Sequence, residues 1–220
     1  DVVGIEPHPR TFALLNASVQ LFGSRHGGRA RVVNVAASDR HRMAWMFEPI
    51  GNAGASVTLP AQFESPYMRG DIDLGELRKW PVEEQTLDSI LAALGMDHFD
   101  ILKIDAEGDE VKVLRGMFTR GFERPLPRVI KFEFGPLRLK SRGEDAPGLL
   151  TWLHSMSYTI VALPKRSAWD FGNACVIKVV ETVVLAFMDE VTDILAISEA
   201  HFDVAYAALR SGSMAAIRDC

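Results

Sequence analysis

Short apolar runs alternating with segments of helical spacing constrain this chain more than any other feature. Six runs read as strands: Val2 to Glu6, Arg31 to Ala37, Phe99 to Ile104, Arg128 to Phe134, Tyr158 to Leu163 and Ala174 to Val180. Between them lie helical stretches. After Pro9, whose missing N–H suits a first helical turn, Phe12, Leu15, Val19 and Phe22 recur on one face until Gly23. Thr86 caps a helix that Gly95 ends, and Val111, Leu114 and Phe118 line a helix over Glu107 to Phe118. Ala146 to Met156 is another. Met43 to Glu48 and Ala55 to Leu59 read as a hairpin around Gly51-Asn52-Ala53-Gly54, and residues 60 to 80 as loop. Strands alternating with helices predict an α/β fold, a mostly parallel sheet flanked by helices. With no internal repeat or linker, residues 1–180 read as one domain. From about Thr182 to Arg210 the periodicity predicts helix, so residues 181–220 read as a helical C-terminal extension.

Composition removes several function classes. The 24 Lys and Arg residues against 29 Asp and Glu leave a net charge of -5 without a basic block, which argues against nucleic-acid binding. The longest apolar-rich stretch, Val176 to Ile197, contains Lys178, Glu181, Asp189, Glu190 and Asp193 and so does not read as a membrane span. Two cysteines, Cys175 and Cys220, build neither a disulfide framework nor a four-ligand zinc site, and a reducing, cytoplasmic setting is expected. The chain opens directly on a strand and is read as a fragment or processed chain.

In a doubly wound sheet, ligands bind beyond the carboxyl ends of the strands. That rule selects Glu6, Ala36 to Asp39, Asp105 to Glu110 and Glu133 to Pro136. Glu6 could accept hydroxyls of a nucleotide ribose, or simply place negative charge at the next helix N-terminus. Lys103-Ile104-Asp105-Ala106-Glu107-Gly108-Asp109-Glu110 puts four carboxylates at a strand end and helix start. Helix-dipole preference accounts for Asp109 and Glu110. Asp105, at the strand tip, is better placed to orient a hydroxyl, accept its proton or bind a divalent cation, with Glu107 opening the helix. Glu133, between Phe132 and Phe134, must be paired or at a strand end. Asn52 could reach a ligand or serve its turn. Of six histidines without metal-ligand spacing, only His8 lies near the predicted crevice, and a structural role suits it. No nucleophile elbow, P-loop, zinc motif or G-x-G-x-x-G fingerprint is present.

Together these segments resemble the FkbM-type family of S-adenosylmethionine-dependent methyltransferases. The resemblance rests on Val3-Gly4-Ile5-Glu6-Pro7-His8-Pro9, Val33-Asn34-Val35-Ala36-Ala37-Ser38-Asp39, Gly51-Asn52-Ala53-Gly54-Ala55-Ser56 and Thr86-Leu87-Asp88-Ser89-Ile90-Leu91. It continues through Ile101-Leu102-Lys103-Ile104-Asp105-Ala106-Glu107-Gly108-Asp109-Glu110, Val113-Leu114-Arg115-Gly116 and Ile130-Lys131-Phe132-Glu133-Phe134. It implies a Rossmann-like class I methyltransferase fold whose last strand runs antiparallel. Glu6, with Pro7 beside it, would bind the cofactor ribose, Ala36 and Ala37 would lie against adenine, and Asp105 and Glu107 would act where the methyl group is transferred. The family's first strand and glycine-rich loop would precede Val2, so the chain reads as N-terminally truncated.

The resulting expectation is a methyltransferase that uses S-adenosylmethionine to methylate a hydroxyl of a small molecule or sugar, with a divalent cation as an optional addition. The alternative is a catalytically inactive methyltransferase-like interaction module. The tail, with Val184, Phe187, Met188, Val191, Leu195, Phe202, Tyr206 and Leu209 as its apolar positions, reads as a helix covering the domain, or else as a homodimer contact.

Overall fold

A computed structural model describes residues 1–23, 29–50, 54, 56–60, 77–119, 125–163, 175–176, 192–203 and 218–219. The chain divides into two compact units, Asp1–Leu94 with Lys112–Arg120, and Gly95–Val111 with Gly121–Cys220.

The first unit begins with β1 (Val2–Ile5) and β2 (Ala30–Val33), a parallel pair connected through α1 (Pro9–Gly23). Gly4 lets α1 approach the strand: a Cβ there would come within 3.1 Å of Leu15 and 3.2 Å of Val32. The expected single strand from Arg31 to Ala37 is instead two. Asn34 turns the chain after β2, and β3 (Ala36–Ser38) joins a second sheet with β4 (Arg42–Pro49), β5 (Val57–Pro60) and β6 (Leu77–Thr86), in the order β3-β6-β4-β5. β4 runs antiparallel to β5 and β6, as the predicted hairpin requires, and β3 runs parallel to β6.

β6 corrects the loop expected over residues 60 to 80, of which 61–76 lie outside the described residues. Its charges and Pro81 disguise the strand, yet Val82 joins Ala36, Ala44 and Met46 in a buried cluster against Trp80. Arg42 forks onto the buried Glu84 carboxylate across the β4–β6 pair. α2 (Leu87–Ala93) follows directly. Thr86 accepts the Ser89 N–H as predicted for an N-cap, Gly95 takes φ 66° just past the end, and Arg31 donates to the Leu94 carbonyl at 2.7 Å.

The second unit holds a mixed sheet ordered β12-β10-β9-β11-β8-β7. Its strands are β7 (Ile101–Ile104), β8 (Val129–Phe134), β9 (Tyr158–Leu163), β10 (Cys175–Val176), β11 (Thr192–Ser198) and β12 (Arg218–Asp219). β7 and β8 are parallel, whereas β11 lies antiparallel between β8 and β9. Among the described residues β7 pairs with β8 alone, and Ile101 is 70% exposed. The described strands thus form three sheets, the two larger ones mixed, where one mostly parallel sheet was expected.

β11 also corrects the helical tail. Thr192–Ser198 is paired along both edges and buries Ile194, Ala196 and Ile197, so it offers no helical face to a second copy. A run apolar toward both faces carries no period that separates strand from helix. Residues 199–203 are helical, and tail positions 184, 187, 188, 191, 206 and 209 lie outside the described residues.

Two helices sit between β8 and β9. α4 (Pro136–Ser141) begins on proline at its first turn, and α5 (Ala146–Ser155) packs Leu149, Leu150 and Leu153 inward. Tyr158 is completely buried and donates its hydroxyl to the Pro127 carbonyl at 2.6 Å. α3 (Glu110–Gly116) starts in the second unit and ends in the first, where Gly116 lies so close to β3 that a Cβ would overlap the Ser38 carbonyl oxygen.

Candidate functional site

In the second unit, acidic side chains gather at the carboxyl ends of β7 and β8. Asp105, directly after β7, is exposed and pairs with Lys103 at 2.9 Å. The helix expected to open at Glu107 begins three residues later. Glu107 takes φ 51° and Gly108 φ 101°, forming a turn that only glycine enters freely at the second position. Buried Glu110 fixes the turn from within, its Oε1 accepting the N–H groups of Ala106 at 3.1 Å and Gly108 at 3.2 Å. Burial pushes the Glu110 carboxyl above its ordinary value, against those hydrogen bonds.

This turn lifts Glu107 toward Glu133 of β8. One carboxylate oxygen from each of Asp105, Glu107 and Glu133 lies within 4.8 Å of the others. Arg138 of α4 stands between two of them, with Nη1 2.8 Å from Glu107 and 2.6 Å from Glu133. Arg142 reaches the Glu107 carbonyl at 3.4 Å. Glu133 is therefore paired, as a carboxylate between two buried phenylalanines must be. β11 adds Asp193 opposite Glu133, and Lys131 takes its carboxylate at 2.9 Å.

Burial raises the Glu107 carboxyl above its ordinary value; Arg138 opposes the rise, while Glu133 and Asp105 add to it. Burial that raises a carboxylate's affinity for a proton makes it a stronger general base than an exposed one. The three carboxylates have spacing that an oxygen-seeking cation accepts. Arg138 already supplies positive charge to two of them.

In the first unit, the predicted cofactor residues follow β1 and β2. Glu6 and Pro7 are half-buried, and both carbonyls accept from Asn34 Nδ2, at 2.8 and 3.1 Å. Glu6 Oε1 accepts the His8 N–H at 2.7 Å. Ala36 sits in the buried cluster of β3, β4 and β6, leaving half-buried Ala37 as the more accessible of the pair. Arg40 grips Asp39 at 2.7 and 2.9 Å and holds its carboxyl below the usual range. Asn52 lies outside the described residues.

His8 is buried and structural, as its position suggested, but its partners were missed. Its ring contacts Glu48 and Trp80, from β4 and from the strand read as loop. Arg138 and Arg142 were likewise overlooked, although Pro136 marks a helix start that would have placed Arg138 one turn beyond Glu133.

Among the described residues, no helix is long and apolar enough to cross a membrane. No curated protein and no solved structure matches the chain. The Methyltransferase FkbM domain, by contrast, matches residues 1–160, from the Glu6 turn through the Asp105–Glu107–Glu133 cluster and on into β9. The chain belongs to the FkbM methyltransferase family.

Proposed function

We propose that this methyltransferase uses S-adenosylmethionine to methylate a hydroxyl of a small molecule or sugar. The observation that carries the hydroxyl assignment is the convergence of Asp105, Glu107 and Glu133 around Arg138. A hydroxyl acceptor must be oriented and must lose its proton, and carboxylates of unequal environment divide those tasks. Asp105, exposed beside Lys103, orients the hydroxyl. Glu107, its affinity for a proton raised by burial, accepts that proton. Glu133 and Arg138 keep Glu107 in place.

Glu6 fits the cofactor ribose: it follows β1 directly and uses one carboxylate oxygen on the chain itself. Pro7, Ala36 and Ala37 complete the cofactor set, Ala36 through its backbone because its side chain is in the core. When bound, S-adenosylmethionine supplies a methyl group on a positively charged sulfur. The parallel β7–β8 pair with antiparallel β11 alongside supports a Rossmann-like class I sheet.

Calorimetric titration of S-adenosylhomocysteine tests this reading. Saturable binding is expected, weakened about tenfold or more by Glu6→Ala, the scale of a lost charge-assisted hydrogen bond. No binding by folded protein overturns the cofactor assignment, and unchanged affinity in Glu6→Ala removes the ribose role.

A further inference from the structure

The turn from β1 to α1 is tied at more points than a connection requires. Glu6 N–H donates to the Val33 carbonyl at 3.0 Å, and Asn34 holds the Glu6 and Pro7 carbonyls. Those bonds fix backbone. The Glu6 side chain is held through Oε1 on the His8 N–H, so the position of His8 decides where the carboxylate stands.

His8 is in turn anchored by a buried polar network. At the N-cap of α1 its Nδ1 accepts the N–H groups of Arg10 at 3.2 Å and Thr11 at 3.4 Å. A ring nitrogen that accepts carries no proton, so the proton is on Nε2, which donates to Glu48 Oε2 at 3.1 Å. Trp80 Nε1–H donates to the same oxygen at 2.7 Å. The indole meets the imidazole edge-on at 5.4 Å, and the Arg10 guanidinium sits 5.3 Å over the indole. His8 is 2% exposed and Glu48 5%. Serine or aspartate would cap the helix equally well. Only a longer ring also reaches across to β4 and β6.

We propose that His8, anchored by Glu48 and Trp80, is a positioning residue that aims the Glu6 carboxylate at the ribose hydroxyls and so sets preference for ribose over deoxyribose. The proposal rests on the reading of Glu6 as the ribose acid. It assigns the Glu48–Trp80 pair a function in cofactor selection, exerted through the helix cap.

The test compares S-adenosylhomocysteine with its 2′-deoxy analogue by calorimetry in wild type, Glu6→Ala, His8→Asn and Glu48→Gln. Asparagine retains a cap acceptor but cannot span to Glu48. Wild type is expected to prefer the ribose form, and Glu6→Ala to erase the preference. His8→Asn and Glu48→Gln should each lower ribose-form affinity about tenfold while sparing the deoxy form. Preference retained in Glu6→Ala overturns the ribose reading. Preference lost in Glu6→Ala but kept in both network variants overturns the positioning role alone, as does an equal fall in both affinities. A ligand-free readout decides the anchoring itself: hydrogen exchange at the His8 amide should accelerate about tenfold in Glu48→Gln and Trp80→Phe, with β8 amides as the control for global opening. Unchanged exchange there overturns the proposal even if neither ligand binds.

Discussion

Replacing Arg138 by methionine removes the cation shared by Glu107 and Glu133 while keeping an apolar stem beside Gly108. Charge-assisted hydrogen bonds contribute about 1.5–3 kcal/mol each when desolvated, and exposed pairs about 0.2–1 kcal/mol. Here the side chains are 38% exposed for Arg138, 29% for Glu107 and 28% for Glu133, so solvent screens both bonds substantially. A total loss of about 1–2 kcal/mol at neutral pH is expected, well below the ~3–6 kcal/mol of two fully desolvated bonds and toward the upper end for two exposed pairs. Its pH dependence identifies the cause. The Glu107 carboxyl is already raised in the folded chain by burial, and loss of Arg138 raises it further. A group raised on folding stabilises the fold fully below its unfolded value, about 4.3 for glutamate, and that contribution is lost as pH rises through the folded value. The stability gap between wild type and Arg138→Met should therefore be small near pH ~4, widen as the carboxylates ionise, and level off toward neutrality. Urea unfolding at a series of pH values measures it. A gap constant from acid to neutral pH would show that Arg138 acts by packing, and the electrostatic argument would be refuted.

Three further outcomes are expected. Asp105→Asn should lower kcat by about 10²-fold or more with cofactor affinity unchanged, and turnover at the wild-type rate would remove Asp105 from the acceptor site. With Arg138 already serving two of the three carboxylates, exhaustive chelation should leave turnover unchanged; a loss restored by added magnesium would instead make the cluster a cation site. Gly116→Ala forces a methyl group onto the Ser38 carbonyl and should cost about 1–3 kcal/mol in urea unfolding, whereas wild-type stability would mean that α3 and β3 can separate without penalty.

The elements most legible in the sequence were those with one unambiguous local signal. The Pro9 start of α1, the Thr86 cap of α2 and the alternation through Phe132 and Phe134 are each determined within a few residues, and each element forms where expected. β6 was hidden because its pattern depends on partners distant in sequence: Glu84 faces inward only because Arg42 meets it, and Trp80 only because Glu48 accepts its N–H. β11 was hidden because apolar residues fall on both of its faces, Ile194 and Ala196 on one and Leu195 and Ile197 on the other. At the acidic cluster, Asp105 and Glu107 could be identified from their place after a strand. The left-handed Glu107 backbone, which delays the helix to Glu110, could not, because acids favour a helix start as readily as a turn. The arginines escaped for the same reason as β6: nothing near them in sequence states what they pair with.

The position of β11 has a consequence for how the polypeptide acquires its structure. Because it lies between β8 and β9, both of which emerge earlier during synthesis, those two strands present open hydrogen-bonding edges until Thr192–Ser198 arrives. The sheet closes from its middle and closes late, a non-local topology that slows folding and prolongs exposure to aggregation. A nascent chain stalled ahead of Thr192 would thus be a client for chaperones, with an unfilled slot where its sheet should be joined.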